Sequence, residues 1–192
     1  MTREVHAIEV ESYRILRSRV DLSHLPPLTR AVVERVIHAT ADAGYASDLV
    51  CDEVALERGL DALRAGAPVV TDVRMVAAGI TRRQTRCYLG DARAAHGLTR
   101  SAAAIRLAFA DVGAGAVWVV GCAPTALAEV VALRPEPALV IGVPVGFVGA
   151  IEAKAALRES GLPALSNRSE KGGSAAAAAA LNALLYTLEG ER

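Results

Sequence analysis

The chain has 192 residues, enough for one domain with a buried core. More than half are apolar, yet no run approaches the roughly 18 continuous apolar residues of a membrane span, and the opening MTREVHAIEV lacks the apolar core of a signal peptide. Its 21 cationic and 21 anionic side chains cancel, which argues against a general nucleic-acid binder.

These features lead to the expectation of a single cytoplasmic domain over residues 1–192. Cys51, Cys87 and Cys122 form no CxxC pair and no cluster with histidine, so reduced thiols and no structural zinc are expected. Lysine occurs only at Lys154 and Lys171; the other cations are arginine. A GC-rich genome explains such a bias. The alternative is that several arginines grip carboxylates bidentately.

Residues 12–20 read as a helix. Pro26 and Pro27 stand where a second begins. In it Val32, Val33, Val36, Ile37 and Thr40 form one apolar stripe at helical spacing. Arg35, His38 and Asp42 fall on the opposite face, three and four residues apart. Residues 53–65 form a helix stopped by Gly66, and 67–71 a short strand. Residues 73–78 are helical and end at Gly79. The span 81–97 is polar and rich in arginine, with no clear period. Residues 99–112 form a helix closed by Gly113, 116–120 a buried strand and 123–133 a helix. The apolar run from Ala138 reads as a buried strand. It gives way to Gly142, Pro144, Gly146 and Gly149 before a helix over 150–160. A short strand at Ala164-Leu165 precedes a last helix over 174–188. Its alanine run at 175–180 allows close packing.

Regular alternation of strand and helix predicts an α/β fold. The expected form is a three-layer α/β/α sandwich with a mostly parallel sheet of about five strands, in a single domain. Right-handed crossovers put the loops 71–72, 121–124, 142–149 and 167–173 along one edge, where open α/β sheets hold ligands. A cleft lined by 142–149 is expected there, because glycines let the backbone approach a ligand closely.

His38 is the candidate for acid–base work, since it lies opposite the apolar stripe. Asp42, one turn on, would raise its pKa and keep it protonated, and an imidazolium is a usable general acid. Gly172-Gly173-Ser174 opens the last helix. Its backbone N–H groups would suit an anion, with Ser174 as N-cap. Gly113-Ala114-Gly115 precedes a strand, so it is not a dinucleotide fingerprint. No GxxxxGK[ST] loop, GxSxG elbow or metal-ligand spacing occurs.

Several segments occur in one order: ESYRILRSRVDLS, RVIHATAD, TDVRMVAAGITR, LTRSAAAIRLA, GCAPTALAEVV, IGVPVGFVGAIEAKAAL and KGGSAAAAAALNALL. Together they resemble the precorrin-8X methylmutase family, the precorrin isomerases of cobalamin biosynthesis, over nearly the whole chain. PVGFVGA followed by Glu152 and Lys154 is the most specific piece, and RVIHAT the second. The resemblance implies methyl migration from C-11 to C-12 of a tetrapyrrole, precorrin-8X or cobalt-precorrin-8, giving hydrogenobyrinate or cobyrinate. It implies no cofactor and a homodimer with sites near the subunit interface; the lack of a metal-ligand cluster, the zero net charge and the lack of a long apolar run add the expectation of no resident metal and of neither nucleic-acid nor membrane partners. The many acetate and propionate carboxylates of such a substrate would account for arginines.

The same resemblance places the catalytic histidine on His38 and a ligand-contacting serine and arginine on Ser12 and Arg35. Arg100, Arg168 and the loop residues Gly142, Val145, Gly146, Gly172 and Gly173 complete the expected substrate-binding set. Three departures stand out. The 80–98 segment is shorter than is typical, Cys122 replaces an asparagine, and Glu170 replaces a basic residue beside the glycine pair. A non-catalytic tetrapyrrole-binding protein on the same fold is the alternative. An unrelated nucleotide-binding domain is disfavoured, because no phosphate loop follows a strand.

Overall fold

The computed structural model describes residues 6–94, 97–188 and 190. In chain order the elements are α1 (Ala7–Arg19), α2 (Pro27–Thr40), α3 (Tyr45–Asp48), β1 (Leu49–Cys51), α4 (Glu53–Arg64), β2 (Val69–Thr71), α5 (Arg74–Gly79) and β3 (Thr85–Arg86). They continue with α6 (Arg100–Val112), β4 (Val117–Val120), α7 (Pro124–Leu133), β5 (Leu139–Gly142), α8 (Ala150–Glu159), β6 (Ala164–Asn167) and α9 (Ser174–Leu188). None of these helices is long and apolar enough to cross a membrane.

The strands form one sheet in the order β1-β6-β5-β4-β2-β3. All neighbours pair in parallel except β1, which runs antiparallel along β6 at the edge. Side chains alternate across the sheet, as the period of a strand requires. Val117, Val119, Leu139 and Ile141 face a core shared with α2, α4 and α9. Trp118, Val120 and Val140 face a second core under α6, α7 and α8. The result is the expected three-layer α/β/α sandwich.

Two differences from the sequence reading concern strands. The sheet has six rather than about five, because the three half-buried residues of β1 and the two residues of β3 are too short to show a period. The third concerns α1, which starts at Ala7, five residues earlier than the sequence indicates. It buries only Leu16, so no apolar stripe marks its first turn.

Helix ends are set by named contacts. Glu53, at the start of α4, accepts the Leu28 and Thr29 N–H groups at 2.8 Å each and so caps α2 across space. Asp52 caps α4 and Thr99 caps α6. Helix α2 stops at Ala41, which is left-handed with φ 55°. The alanines of α9 work as expected of small residues. A Cβ on Gly79 would stand 2.7 Å from that of Ala178, and one on Gly121 would stand 2.7 Å from that of Ala177. Helix α9 can therefore lie in the first core with Ala176 to Leu185 all buried.

Candidate active site

The face of α2 opposite the apolar stripe is covered by α1. His38 is half-buried there, with the Ser12 hydroxyl 2.8 Å from its Nδ1. The Tyr13 ring stacks on the imidazole, with centroids 5.0 Å apart and planes within 3°. One turn back, the Arg35 guanidinium pairs with Glu9 at 2.6 Å, and both side chains are largely buried. It also reaches the Tyr13 and Tyr186 hydroxyls at 3.5 and 3.3 Å and lies over the Tyr186 ring at 4.7 Å. Burial pushes the Tyr13 phenol up, and Arg35 opposes that rise. Arg17 grips Glu34 through two bonds of 2.9 Å, a fork that joins α1 to α2.

Beside this cluster lies a cavity of about 750 Å³, a size found for small-molecule sites. Tyr13, Arg17, Glu34, Arg35 and Tyr186 line it. The 142–149 loop takes no part in this cavity, which departs from the expected lining. Arg35 and His38 do share one helix face as their spacing indicates, but the chain's own Glu9 already neutralises Arg35.

Asp42 departs from its expected role because α2 ends before it. It accepts the Gly44 N–H at 2.8 Å and pairs with Lys171 at 2.8 Å. Lys171 and the Gly44 N–H hold its carboxyl below the usual range. Ser12 of α1 is a partner of the His38 ring. Contacts between residues 26 apart leave no trace in helical spacing, and so this pairing escapes sequence reasoning.

The loops at the carboxyl edge of the sheet are bound mainly to one another. The Gly146 N–H donates to the Glu170 carbonyl at 3.1 Å, and the Gly173 N–H to the Val143 carbonyl at 3.0 Å. A Cβ on Gly172 would lie 2.1 Å from that same Val143 oxygen. The glycine pair therefore serves a backbone–backbone approach, and the Gly173 N–H expected to meet an anion is already used. Ser174 is the first residue of α9 rather than its cap. Gly142 is corrected in the same way: a Cβ there would strike Leu157 at 2.5 Å and Leu127 at 2.8 Å, so its bareness serves the core. Val145 is half-exposed on the loop, beside the almost fully exposed Phe147. Arg100 is exposed at the first position of α6. The Arg168 side chain is exposed while its N–H donates to the Asp48 carbonyl at 3.0 Å.

Three ionisable residues that the sequence reading gave no role fix this edge. Lys154 is fully buried and donates to Asn167 Oδ1 at 3.0 Å, to the Lys171 carbonyl at 2.8 Å and to the Ser169 carbonyl. Burial pushes its ammonium down to about 8. Asp48 accepts from Asn167 Nδ2, from the Arg168 and Ser169 N–H groups and from the Ser169 hydroxyl. Burial opposes its ionisation, but those donors prevail and hold the carboxyl below its ordinary value. Asp72, 1% exposed, accepts the N–H groups of Gly121, Cys122 and Ala123 at 3.1, 2.8 and 2.9 Å. Burial raises its pKa against those three donors. Among the described residues no group of three or more His, Cys, Asp or Glu side chains could hold a metal ion.

A family model described as precorrin-8X methylmutase matches residues 7–187. The cobalt-precorrin-8 methylmutase of Salmonella typhimurium is 40% identical over 199 aligned positions, which span 97% of this chain and 95% of that protein. The precorrin-8X methylmutase of Pseudomonas aeruginosa is 38% identical over 95% of each chain. The crystal structure of precorrin-8x methyl mutase from Thermus thermophilus superposes with a TM-score of 0.86 at 38% identity, covering 97% of this chain and 100% of that one.

Proposed function

The chain belongs to the precorrin-8X methylmutase family, and from that premise we propose that it moves a methyl group from C-11 to C-12 of a tetrapyrrole. The substrate is precorrin-8X or cobalt-precorrin-8, and the product hydrogenobyrinate or cobyrinate. Relatives bearing either substrate's name match at nearly equal identity. Any cobalt belongs to the substrate.

The observation that carries this reading is the His38 constellation. Ser12 engages Nδ1 and so helps to fix the orientation of the ring. A protonated His38 adds a proton to the macrocycle beside the migrating carbon. The conjugated system becomes more electron-poor, and the barrier to an intramolecular [1,5]-sigmatropic shift falls. The proton then returns, leaving no net change in atoms. A positioned general acid contributes about two to four orders of magnitude. Holding the large ring in one orientation supplies part of the rest.

Arg35 is the cation nearest this acid on α2, and a substrate carboxylate would compete with Glu9 for its guanidinium. Arg100, Arg168, Val145 and Gly146 are the remaining candidates for contact with the ring's periphery. The protein is proposed to act as a homodimer in the cytoplasm, with each site near the subunit interface. The reaction is intramolecular, so no cofactor is assigned.

A spectrophotometric assay with precorrin-8X and with cobalt-precorrin-8 tests the reading. Methyl migration changes the conjugation, so an absorbance shift to the hydrogenobyrinate or cobyrinate spectrum is expected with at least one. Binding of both without any spectral conversion would favour a carrier and overturn the assignment.

A further inference from the structure

A second cavity, of about 270 Å³, lies apart from the first and shares no lining residue with it. Its walls come from the end of β1, the start of α4, the end of α8 and the turn that leads into β6. It therefore sits beside the amino end of β6, whereas the 167–173 loop leaves the opposite end of that strand. Two arginines line it, Arg58 of α4 and Arg158 of α8, against one carboxylate, Asp52. That carboxylate is engaged as the cap of α4, where it accepts the Val54 N–H at 3.0 Å. Arg158 is half-buried and held by neutral acceptors alone. Its Nη1 donates to the Ser166 hydroxyl at 3.0 Å and to the Asn167 carbonyl at 2.7 Å. Its Nε and Nη2 groups have no acceptor among the described residues, and the exposed Arg58 has neither a hydrogen bond nor an ion pair among them. Much of the remaining wall is apolar, with Val50, Ala55, Leu162 and Pro163.

We propose that this cavity binds a small aliphatic carboxylate, its head between Arg58 and Arg158 and its hydrocarbon part on the apolar wall. A guanidinium presents its N–H groups in a planar fork that matches a carboxylate. In Arg158 one nitrogen of that fork is already fixed by Ser166 and Asn167, so the group is ordered before a ligand arrives, and less freedom is lost on binding. The lining carries one more cation than anion. Cys51 adds no second negative charge at neutral pH, because burial pushes its thiol up to about 12. The apolar wall separates the carboxylate from inorganic anions: a hydrocarbon gains by leaving water there, whereas a phosphate loses hydration without recompense. The size agrees, since the cavity falls just below the roughly 300–1,000 Å³ of sites for larger ligands. Nothing in this inference depends on the reading of His38.

The experiment titrates the full chain with acetate, butanoate, hexanoate and phosphate at constant ionic strength, with chloride as the background anion. It reads affinity by calorimetry and location by nitrogen-15 NMR of the arginine Nε signals. Hexanoate should bind with a dissociation constant of about a millimolar or below. Affinity should rise about two- to fourfold with each CH₂ group from acetate to hexanoate, and phosphate should bind about tenfold more weakly than hexanoate or worse. Arg58→Gln should weaken hexanoate by about fivefold or more. Arg158→Lys keeps the charge but loses the fork, and should weaken it by about tenfold or more. The Arg158 Nε signal, assigned by its loss in Arg158→Lys, should move as hexanoate is added. Absence of hexanoate binding at about 50 mM overturns the proposal. So does phosphate binding as tightly as hexanoate, affinity untouched by the substitutions, or an Arg158 signal that stays still while hexanoate binds. Arg158 also braces Ser166 and Asn167, so Arg158→Lys is judged as a folded protein. Should it not fold, Arg58→Glu takes its place: it should abolish hexanoate binding, and unchanged affinity overturns the proposal.

Discussion

At the scale of single residues, His38 combines three neighbours of different origin. Arg35 shares its helix face, whereas Ser12 and Tyr13 arrive from a separate helix. Only the first was readable from spacing, because a period of 3.6 residues reports on one helix at a time. Asp42 shows the converse: its spacing fits a helical partner, but the left-handed Ala41 ends the helix first. His38→Ala should fold, because the residue stands outside the apolar stripe that α2 buries. Tetrapyrrole binding should persist while turnover falls about a hundredfold or more, as single-turnover absorbance traces would reveal. Equal rates would remove His38 from the mechanism. Lys154 gives a prediction with a defined sign. Its ammonium sits near 8 in the folded chain against an ordinary 10.5, held there by burial. Below pH 8 both states carry the proton, and the cost of burying the charge is fully present. Between pH 8 and 10.5 the unfolded chain binds more protons, so stability rises with pH, by at most about 3 kcal/mol from this group. Urea midpoints across that window should rise in wild type relative to Lys154→Met. Parallel profiles would contradict it.

At the scale of elements, the sequence pattern served long periodic segments well and short ones poorly. The apolar stripe of α2 and the buried β4 and β5 are legible because each turns one or both faces to a core. β1 and β3 take their place from their neighbours in the sheet, and nothing local announces them. The glycine-rich loops were legible as close approaches, but not what approaches. At Gly172 it is the Val143 carbonyl rather than a ligand. Gly172→Ala must therefore displace the 143–146 segment, and its φ of 151° adds strain for any side chain. A loss of about 3 kcal/mol is expected, read as a lower urea midpoint. An unchanged midpoint would mean that the two loops separate at little cost.

At the scale of the whole molecule, alternation of strand and helix was sufficient for the three layers, because a parallel sheet needs helices on both faces. Strand order was not legible, since several orders satisfy the same alternation. α9 lies between the sheet and α2, and the first core runs from Leu16 of α1 through α9 to the strands. The second core shares those strands from the other side. With the sheet common to both, heating or urea should give a single cooperative transition, coincident by far-ultraviolet circular dichroism and by the fluorescence of the buried Trp118. Separate transitions for the two probes would divide the chain into more than one folding unit.

Asp72 carries a consequence for the binding of anions from solution. A helix preceded by a strand and a tight turn gathers backbone donors that attract anions from solution. At the start of α7 that berth is taken by a tethered guest, the Asp72 carboxylate, which arrives from the end of the neighbouring β2. Evicting it should turn an intramolecular tenant into a dissociable one. Asp72→Ala should melt at a lower temperature, and added formate should recover part of the loss by standing where the side chain stood, whereas equimolar chloride should not. A melting point indifferent to formate would mean that the three N–H groups find other acceptors once the carboxylate has gone.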